Sequence, residues 1–231
     1  SYVESNLLGF ANILENCRNF KVKNLLFAST SSVYGANKKM PYKENNETDK
    51  PIQFYAATKK SNEVMAYSYS HLYKINTIGL RFFTVYGPWG RPDMALFKFT
   101  KNILSGKRID IYNYGNHSRD FTYIDDIIET IFVLIKRQSK KLKYNKIPFE
   151  ILNIGKGKSD KLTKYISQIE ICLNKKSKKN FLKLQKGDIV KTLADTNKLK
   201  KITKKYKFTP IHIGVRKFIS WYLEYFNPKK K

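Results

Sequence analysis

The residues best suited to chemistry lie in one decapeptide, FYAATKKSNE, from Phe54 to Glu63. Tyr55 and Lys59 stand four apart in a helix-like segment, which puts both on one face of a turn. An ammonium held beside a phenol favours the phenolate, so Tyr55 is a candidate acid/base and Lys59 its electrostatic partner. Upstream, the run ASTSSVYG from Ala28 to Gly35 closes an apolar segment and offers the hydroxyls of Thr30, Ser31 and Ser32. A Tyr/Lys pair alone is common on solvated helices. Joined to a hydroxyl run at the end of the preceding strand, it becomes a constellation with a purpose.

These groups need elements to hold them. Val3 to Phe20 carries Leu7, Leu8, Ala11, Ile13 and Leu14 at helical spacing, which predicts an amphipathic helix. Val22, Leu25, Leu26, Phe27 and Ala28 form a short apolar run of the kind buried on both faces of a parallel sheet. Asn37 to Pro51 is polar and turn-rich, a surface loop. A helix from about Gln53 to Tyr73 and a buried strand from Thr77 to Phe83 follow. The order helix, strand, loop, helix, strand is the signature of βα units, so the fold class is α/β with a parallel sheet.

The Gly/Pro-rich passage YGPWGRP, Tyr86 to Pro92, comes next, where loops after parallel strands build a ligand crevice. Beyond it the pattern predicts a helix over Ala95–Leu104, strands over Ile109–Tyr112 and Arg119–Ile124, and a helix over Ile124–Lys136. A strand over Phe149–Ile154 and helices over Leu162–Leu173 and Ile211–Phe226 complete the chain. There is no internal repeat and no Gly/Ser-rich linker.

The 231 residues carry a net charge of +27, which invites a polyanion-binding reading. Only 7 of the 45 basic residues are arginines, however, and base-edge recognition leans on arginine. Lysines run along the whole chain, with clusters at Lys175–Lys179, Lys198–Lys207 and Lys229–Lys231. The reading is no nucleic-acid partner, with a positive field that suits a small anionic substrate. No apolar run reaches the eighteen or so residues of a membrane span, and no signal-peptide pattern is visible, so no membrane partner is expected. Cys17 and Cys172 read as core-facing thiols in a reducing compartment, the cytoplasm. His71, His117 and His212 are scattered; none is assigned to catalysis, and no metal site is expected.

Taken together, the segments SNLLGFANIL, LLFASTSSVYG, YAATKKSNE, LRFFTVYGPWGRPDMALFKF, RDFTYIDD and LNIGKG resemble the extended short-chain dehydrogenase/reductase family of NAD-dependent epimerases and dehydratases. The resemblance runs nearly end to end. It implies a Rossmann-like parallel sheet, of which this chain carries the C-terminal part, with a smaller α/β substrate-binding domain. Residues 1–88 would belong to the NAD-binding domain. Residues 89–231 would belong mainly to the nucleotide-sugar domain, with some segments returning to the sheet.

By the same resemblance Tyr55 is the general base, Lys59 supports it and contacts the nicotinamide ribose, and Thr30 bonds the reacting hydroxyl. Dehydratases and decarboxylases of this kind carry a carboxylate just after the Thr30 position for a later proton transfer. Here Ser31 and Ser32 stand there, which favours epimerisation. The passage TVYGPWGRPDMALF is similar to UDP-glucuronate 4-epimerases. Arg91 offers a planar fork for a carboxylate, with Thr84 and Ser31 or Ser32 beside it. Holding that carboxylate restrains the loss of CO₂ to which a 4-keto glucuronate is prone.

The resemblance places Arg119 on the diphosphate, where an ion pair with Asp125 or Asp126 is the alternative, and Asp188 on the uridine ribose. Family members often carry an arginine three residues before that aspartate; here it is Gln185. Phe97 and Phe99 are candidates for the uridine pocket, with core packing the alternative for each. The glycine-rich GxxGxxG turn is expected upstream of Ser1, so the chain reads as a partial sequence, inactive by itself. A homodimer through the Tyr55 helix and a neighbour, Val3 to Phe20, is the implied assembly. The rival functions are a UDP-glucuronate decarboxylase or another UDP-sugar epimerase and, from a different class, a noncatalytic polyanion-binding module.

Overall fold

A computed structural model describes residues 1–138 and 147–226. The Lys229–Lys231 cluster lies outside the described residues.

A π-helical turn at Val3–Leu8 leads into α1 (Gly9–Asn19), then β1 (Asn24–Thr30) and a 3₁₀ turn at Ser31–Tyr34. Next come α2 (Phe54–Tyr73), β2 (Asn76–Phe82), β3 (Thr84–Tyr86), α3 (Ala95–Leu104) and β4 (Arg108–Ile111). The chain continues through β5 (Ser118–Arg119), β6 (Phe121–Tyr123), α4 (Ile124–Gln138), β7 (Phe149–Ile154) and β8 (Asp160–Lys161). It ends with α5 (Leu162–Leu173), β9 (Lys178–Phe181), α6 (Asn197–Thr203) and α7 (Ile211–Phe226). The described residues form two compact units: 1–83, 129–138, 147–154 and 194–206 make the first, and 84–128, 155–193 and 207–226 the second.

The first unit is built on a three-stranded parallel sheet in the order β1-β2-β7. β2 lies in the middle, and its residues from Asn76 to Arg81 are all buried. β1 departs from the expectation of burial on both faces: Leu25 and Leu26 are half-buried and Ala28 is exposed. Among the described residues β1 pairs with β2 alone, which makes it an edge strand, whereas β2 is paired on both edges. The N-terminal helix also differs from the expected span, opening as a π turn before α1 begins at Gly9. Leu14 is fully buried with Phe27 and Ala66, whereas Leu8 and Ile13 face solvent. α2 packs on β1 and β2 through small and polar positions, Ala56, Ala66 and Ser70 among them, which let the helix approach closely.

The second unit holds the larger apolar cluster, gathered from α3, β4, β6, α5 and α7. Phe97 and Phe99 lie inside it, Phe97 packed edge-on against Phe218, Tyr222 and Phe226. Core packing is therefore what both residues do here.

The strand expected over Arg119–Ile124 is broken at Asp120, where the chain changes partner. β5 pairs antiparallel with β8, and β6 parallel with β3. The fully buried Asp120 carboxylate accepts the Lys156 and Gly157 N–H groups at 2.9 Å each, tying down the glycine turn after β7. At the far end of α5, Glu170 accepts the Ser177 N–H at 2.9 Å and the Lys179 ammonium at 2.8 Å, joining the helix to β9. Burial alone would raise its carboxyl, but these donors hold it down at about 2.

Candidate active site

In the first unit, Tyr55 and Lys59 lie one turn apart near the start of α2, both half-buried. Burial lowers the pKa of the Lys59 ammonium by penalising its charge. Among the described residues that ammonium has no hydrogen-bond or ion-pair partner, and neither has the Tyr55 hydroxyl. The Tyr55 ring lies 5.7 Å from that of Tyr2. A ligand that brings hydroxyl or phenolate oxygens to this ammonium would give it acceptors.

The 3₁₀ turn at Ser31–Tyr34 packs against α2 and starts at Thr30, which caps it. Thr30 Oγ1 accepts the Ser32 N–H at 3.2 Å, so the oxygen is fixed and its own proton is left to donate. The cap role and a substrate-binding role are thus compatible. Gly35 ends the turn at φ 54°, where a Cβ would stand 2.1 Å from the Lys50 carbonyl oxygen. Only glycine fits there.

One turn beyond Lys59, Glu63 anchors α2 to the sheet. It receives Arg81 of β2 through Nε and Nη2, both at 2.8 Å, and the Ser29 hydroxyl at 2.6 Å. Both charged side chains are 4 % exposed. Burial would lower the Arg81 pKa, but the two bonds to Glu63 outweigh it and hold the guanidinium charged. Arg81 also donates to the Glu44 carbonyl at 3.1 Å and lies 4.9 Å from the centre of the Tyr34 ring. Tyr34 in turn donates to Asn153 Oδ1 at 2.6 Å. Sequence reasoning missed this network, although an arginine inside the apolar strand TIGLRFF was its signal, because a buried charge needs a partner.

In the second unit, Arg119 and Asp188 come together. Arg119 Nη2 donates to Asp188 Oδ1 at 3.0 Å, and Nη1 donates to the Val190 carbonyl at 2.9 Å. Asp125 lies 3.6 Å from the Lys217 ammonium, and Asp126 accepts the Thr209 N–H at 2.8 Å. Buried His117 joins the cluster: Nε2 is 3.0 Å from Asp188 Oδ2, and Nδ1 is 3.2 Å from the Tyr112 carbonyl oxygen. The Nε2 approach is close but lacks hydrogen-bond alignment.

Thr84 is half-buried in β3, its N–H donating to the Asp120 carbonyl at 3.1 Å. Arg91 is exposed, its fork filled by Asp93 at 3.0 and 2.6 Å. This pair holds the Asp93 carboxyl below its ordinary range. An exposed ion pair of this kind is weak and exchangeable. Among the described residues no group of three His, Cys, Asp or Glu could hold a metal ion. Nor is any described helix long and apolar enough to cross a membrane.

A parallel α/β sheet carrying a Tyr-x-x-x-Lys helix beside a threonine-capped hydroxyl turn defines an enzyme of the nicotinamide-dependent Rossmann class. The model of the NAD dependent epimerase/dehydratase family matches residues 1–155, and the chain belongs to that family. It is 48 % identical to Protein CapI of Staphylococcus aureus over 98 % of this chain and 71 % of that protein. A probable UDP-glucuronate 4-epimerase of Rhizobium meliloti is 43 % identical over 96 % of this chain and 68 % of the relative. The solved UDP-glucuronic acid 4-epimerase of Bacillus cereus, in complex with UDP-glucuronic acid and NAD, superposes with a TM-score of 0.87 at 32 % identity. That match covers 97 % of this chain and 69 % of the solved one. For NAD, the fit in this chain rests on the partnerless Lys59 ammonium and Tyr55 hydroxyl, the donors that a ribose and its reacting partner require.

Proposed function

We propose that this chain is the acid/base and substrate-recognition portion of an NAD-dependent UDP-sugar 4-epimerase that interconverts UDP-glucuronate and UDP-galacturonate. The observation that carries the reading is the Tyr55–Lys59 face of α2, with its unpartnered polar ends, beside the hydroxyl turn capped by Thr30. Tyr55 takes the proton of the sugar O4 and later returns it. The Lys59 ammonium holds the nicotinamide ribose. Thr30, its oxygen fixed by the Ser32 N–H, donates to O4 and orients it. When bound, NAD supplies a reversible hydride acceptor for C4, so the 4-keto sugar can be reduced again from its other face.

Ser31 and Ser32 provide no second acid or base, which leaves the sugar carbons other than C4 untouched. Arg91, released from its exposed pair with Asp93, binds the glucuronate carboxylate with Thr84 and so restrains decarboxylation. Arg119 meets the diphosphate and Asp188 the uridine ribose. The first compact unit then corresponds to the cofactor domain and the second to the nucleotide-sugar domain. Exposed apolar residues on α1 and α2, Ile13, Val64 and Leu72 among them, support a homodimer through these helices.

The test uses the full-length protein with NAD and UDP-glucuronate, with products followed by NMR. UDP-galacturonate should form in wild type and not in Tyr55→Phe. Release of CO₂ with a UDP-pentose product would instead assign a decarboxylase, and robust turnover by Tyr55→Phe would remove the acid/base role.

A further inference from the structure

We infer that Trp89 is a positioning residue for the Arg91 fork, holding the loop that carries it against α7. This inference rests on the reading that Arg91 binds the substrate carboxylate. The loop after β3 is two turns set end to end. In the first, the Gly90 N–H donates to the Gly87 carbonyl at 3.2 Å, with Pro88 and Trp89 between them. In the second, the Met94 N–H donates to the Arg91 carbonyl at 3.1 Å, and α3 begins at Ala95. Arg91 opens the second turn directly after the first has closed, so its backbone goes where the first turn points it.

Trp89 is the residue out of place in that first turn. Proline second and a positive φ third is the type II pattern, which reserves the third position for glycine or asparagine. Trp89 stands there at φ 62°, a conformation that strains a bulky side chain. It is also 70 % exposed, so burial does not account for it. For the turn alone, glycine serves better.

What the indole does is reach α7. Its ring lies 5.2 Å from that of Trp221 and, edge-on, 4.9 Å from that of Tyr225. Those two stand four apart on one helix face and stack on each other at 5.7 Å, and Trp221 packs on the apolar cluster of the second unit. These contacts offset the strain and tie the turn to a packed helix. The start of the turn is seated as well, since a Cβ on Gly87 would stand 2.4 Å from the Ile124 side chain. The exposed pair with Asp93 is too weak to orient the Arg91 fork by itself. Fixing the loop from which the fork projects lowers the ordering that a bound carboxylate must otherwise impose.

The experiment measures KM for UDP-glucuronate and, by calorimetry, Kd for UDP in the full-length protein with NAD. Trp89→Gly relaxes the strained φ and removes the ring. It should raise KM about tenfold and leave the UDP Kd, which does not engage Arg91, within about twofold of wild type. Trp89→Phe, which keeps a ring for α7, should recover most of the loss. Tyr225→Leu alters α7 and not the loop, and should raise KM about threefold. Because Trp89 acts through Arg91, adding Trp89→Gly to Arg91→Lys should raise KM little beyond Arg91→Lys alone. A Trp89→Gly KM within about twofold of wild type, or a full tenfold increment on top of Arg91→Lys, overturns the positioning role. So does an equal rise in the UDP Kd, the mark of a general disturbance of the second unit. If Arg91→Lys leaves KM unchanged, the carboxylate reading itself has failed, and the role of Trp89 with it.

Discussion

The two polar clusters of this chain solve opposite problems. On α2, the Tyr55 hydroxyl and the Lys59 ammonium have no hydrogen-bond or ion-pair partner among the described residues, and the next turn, where Glu63 and Arg81 meet, locks the helix to the sheet. In the second unit Arg119 and Asp188 hold one another directly, with His117 against them. In the function proposed above, the first pair exchanges protons and so needs open valences, its rigidity borrowed from neighbours. The second pair, proposed to bind a charged ligand, is arranged by its own mutual attraction. Substitution should therefore separate chemistry from stability in the first cluster more cleanly than in the second.

The largest effect tests the first half of that contrast. Tyr55→Phe should lower kcat of the full-length protein by about a thousandfold. The same change should leave the urea unfolding curve in place, because nothing leans on the lost hydroxyl. A large loss of stability would show that the phenol is structural.

The scaffold behind it should behave in the reverse way. Glu63→Gln or Arg81→Met alone leaves a buried charge uncompensated and should cost about 3–5 kcal/mol by equilibrium unfolding. The double variant should recover most of that loss. If each single change costs under about 1 kcal/mol, the pair is not the anchor of α2.

A smaller, pH-linked effect belongs to the second unit. Glu170 has a folded pKa of about 2 against an ordinary 4.5, so the folded state binds its proton less readily than the unfolded chain. The stability it contributes is fully present above 4.5 and is lost as pH falls toward about 2. Thermal melts across that window should show a decline, and Glu170→Gln should flatten it. An equal slope in the variant would assign the acid sensitivity elsewhere.

The smallest change in stability is expected at Arg91. Arg91→Lys keeps the charge but loses the fork, so KM for UDP-glucuronate should rise about tenfold. Unfolding should stay within about 0.5 kcal/mol of wild type, because the Asp93 pair is exposed. An unchanged KM would detach Arg91 from the substrate carboxylate.

Much of the fold was legible before any coordinates. The spans read for α5, α7 and β7 coincide with the observed ones, because each carries a strong apolar period and clear turn residues at its ends. β9 went unread. Its sequence, KKNF, has no strand pattern, and it exists because it finds β4 as a parallel partner. The short α6 was missed for a similar reason, since NKLKKIT buries Leu199 alone. The split of β5 from β6 was invisible too, for it depends on Asp120 turning to a glycine loop more than thirty residues away.

What the sequence determined by itself was local: the helical period that puts Tyr55 and Lys59 on one face, and the hydroxyl run that ends β1. Those features follow from backbone geometry over a few residues and need no distant partner. The tertiary structure alone decided which charges meet. It paired Arg119 with Asp188 across 69 positions and Arg81 with Glu63 under α2, and it brought His117 into a site where no motif had placed it. Pairing of that kind is settled by burial, where a charge must find a partner wherever the fold delivers one.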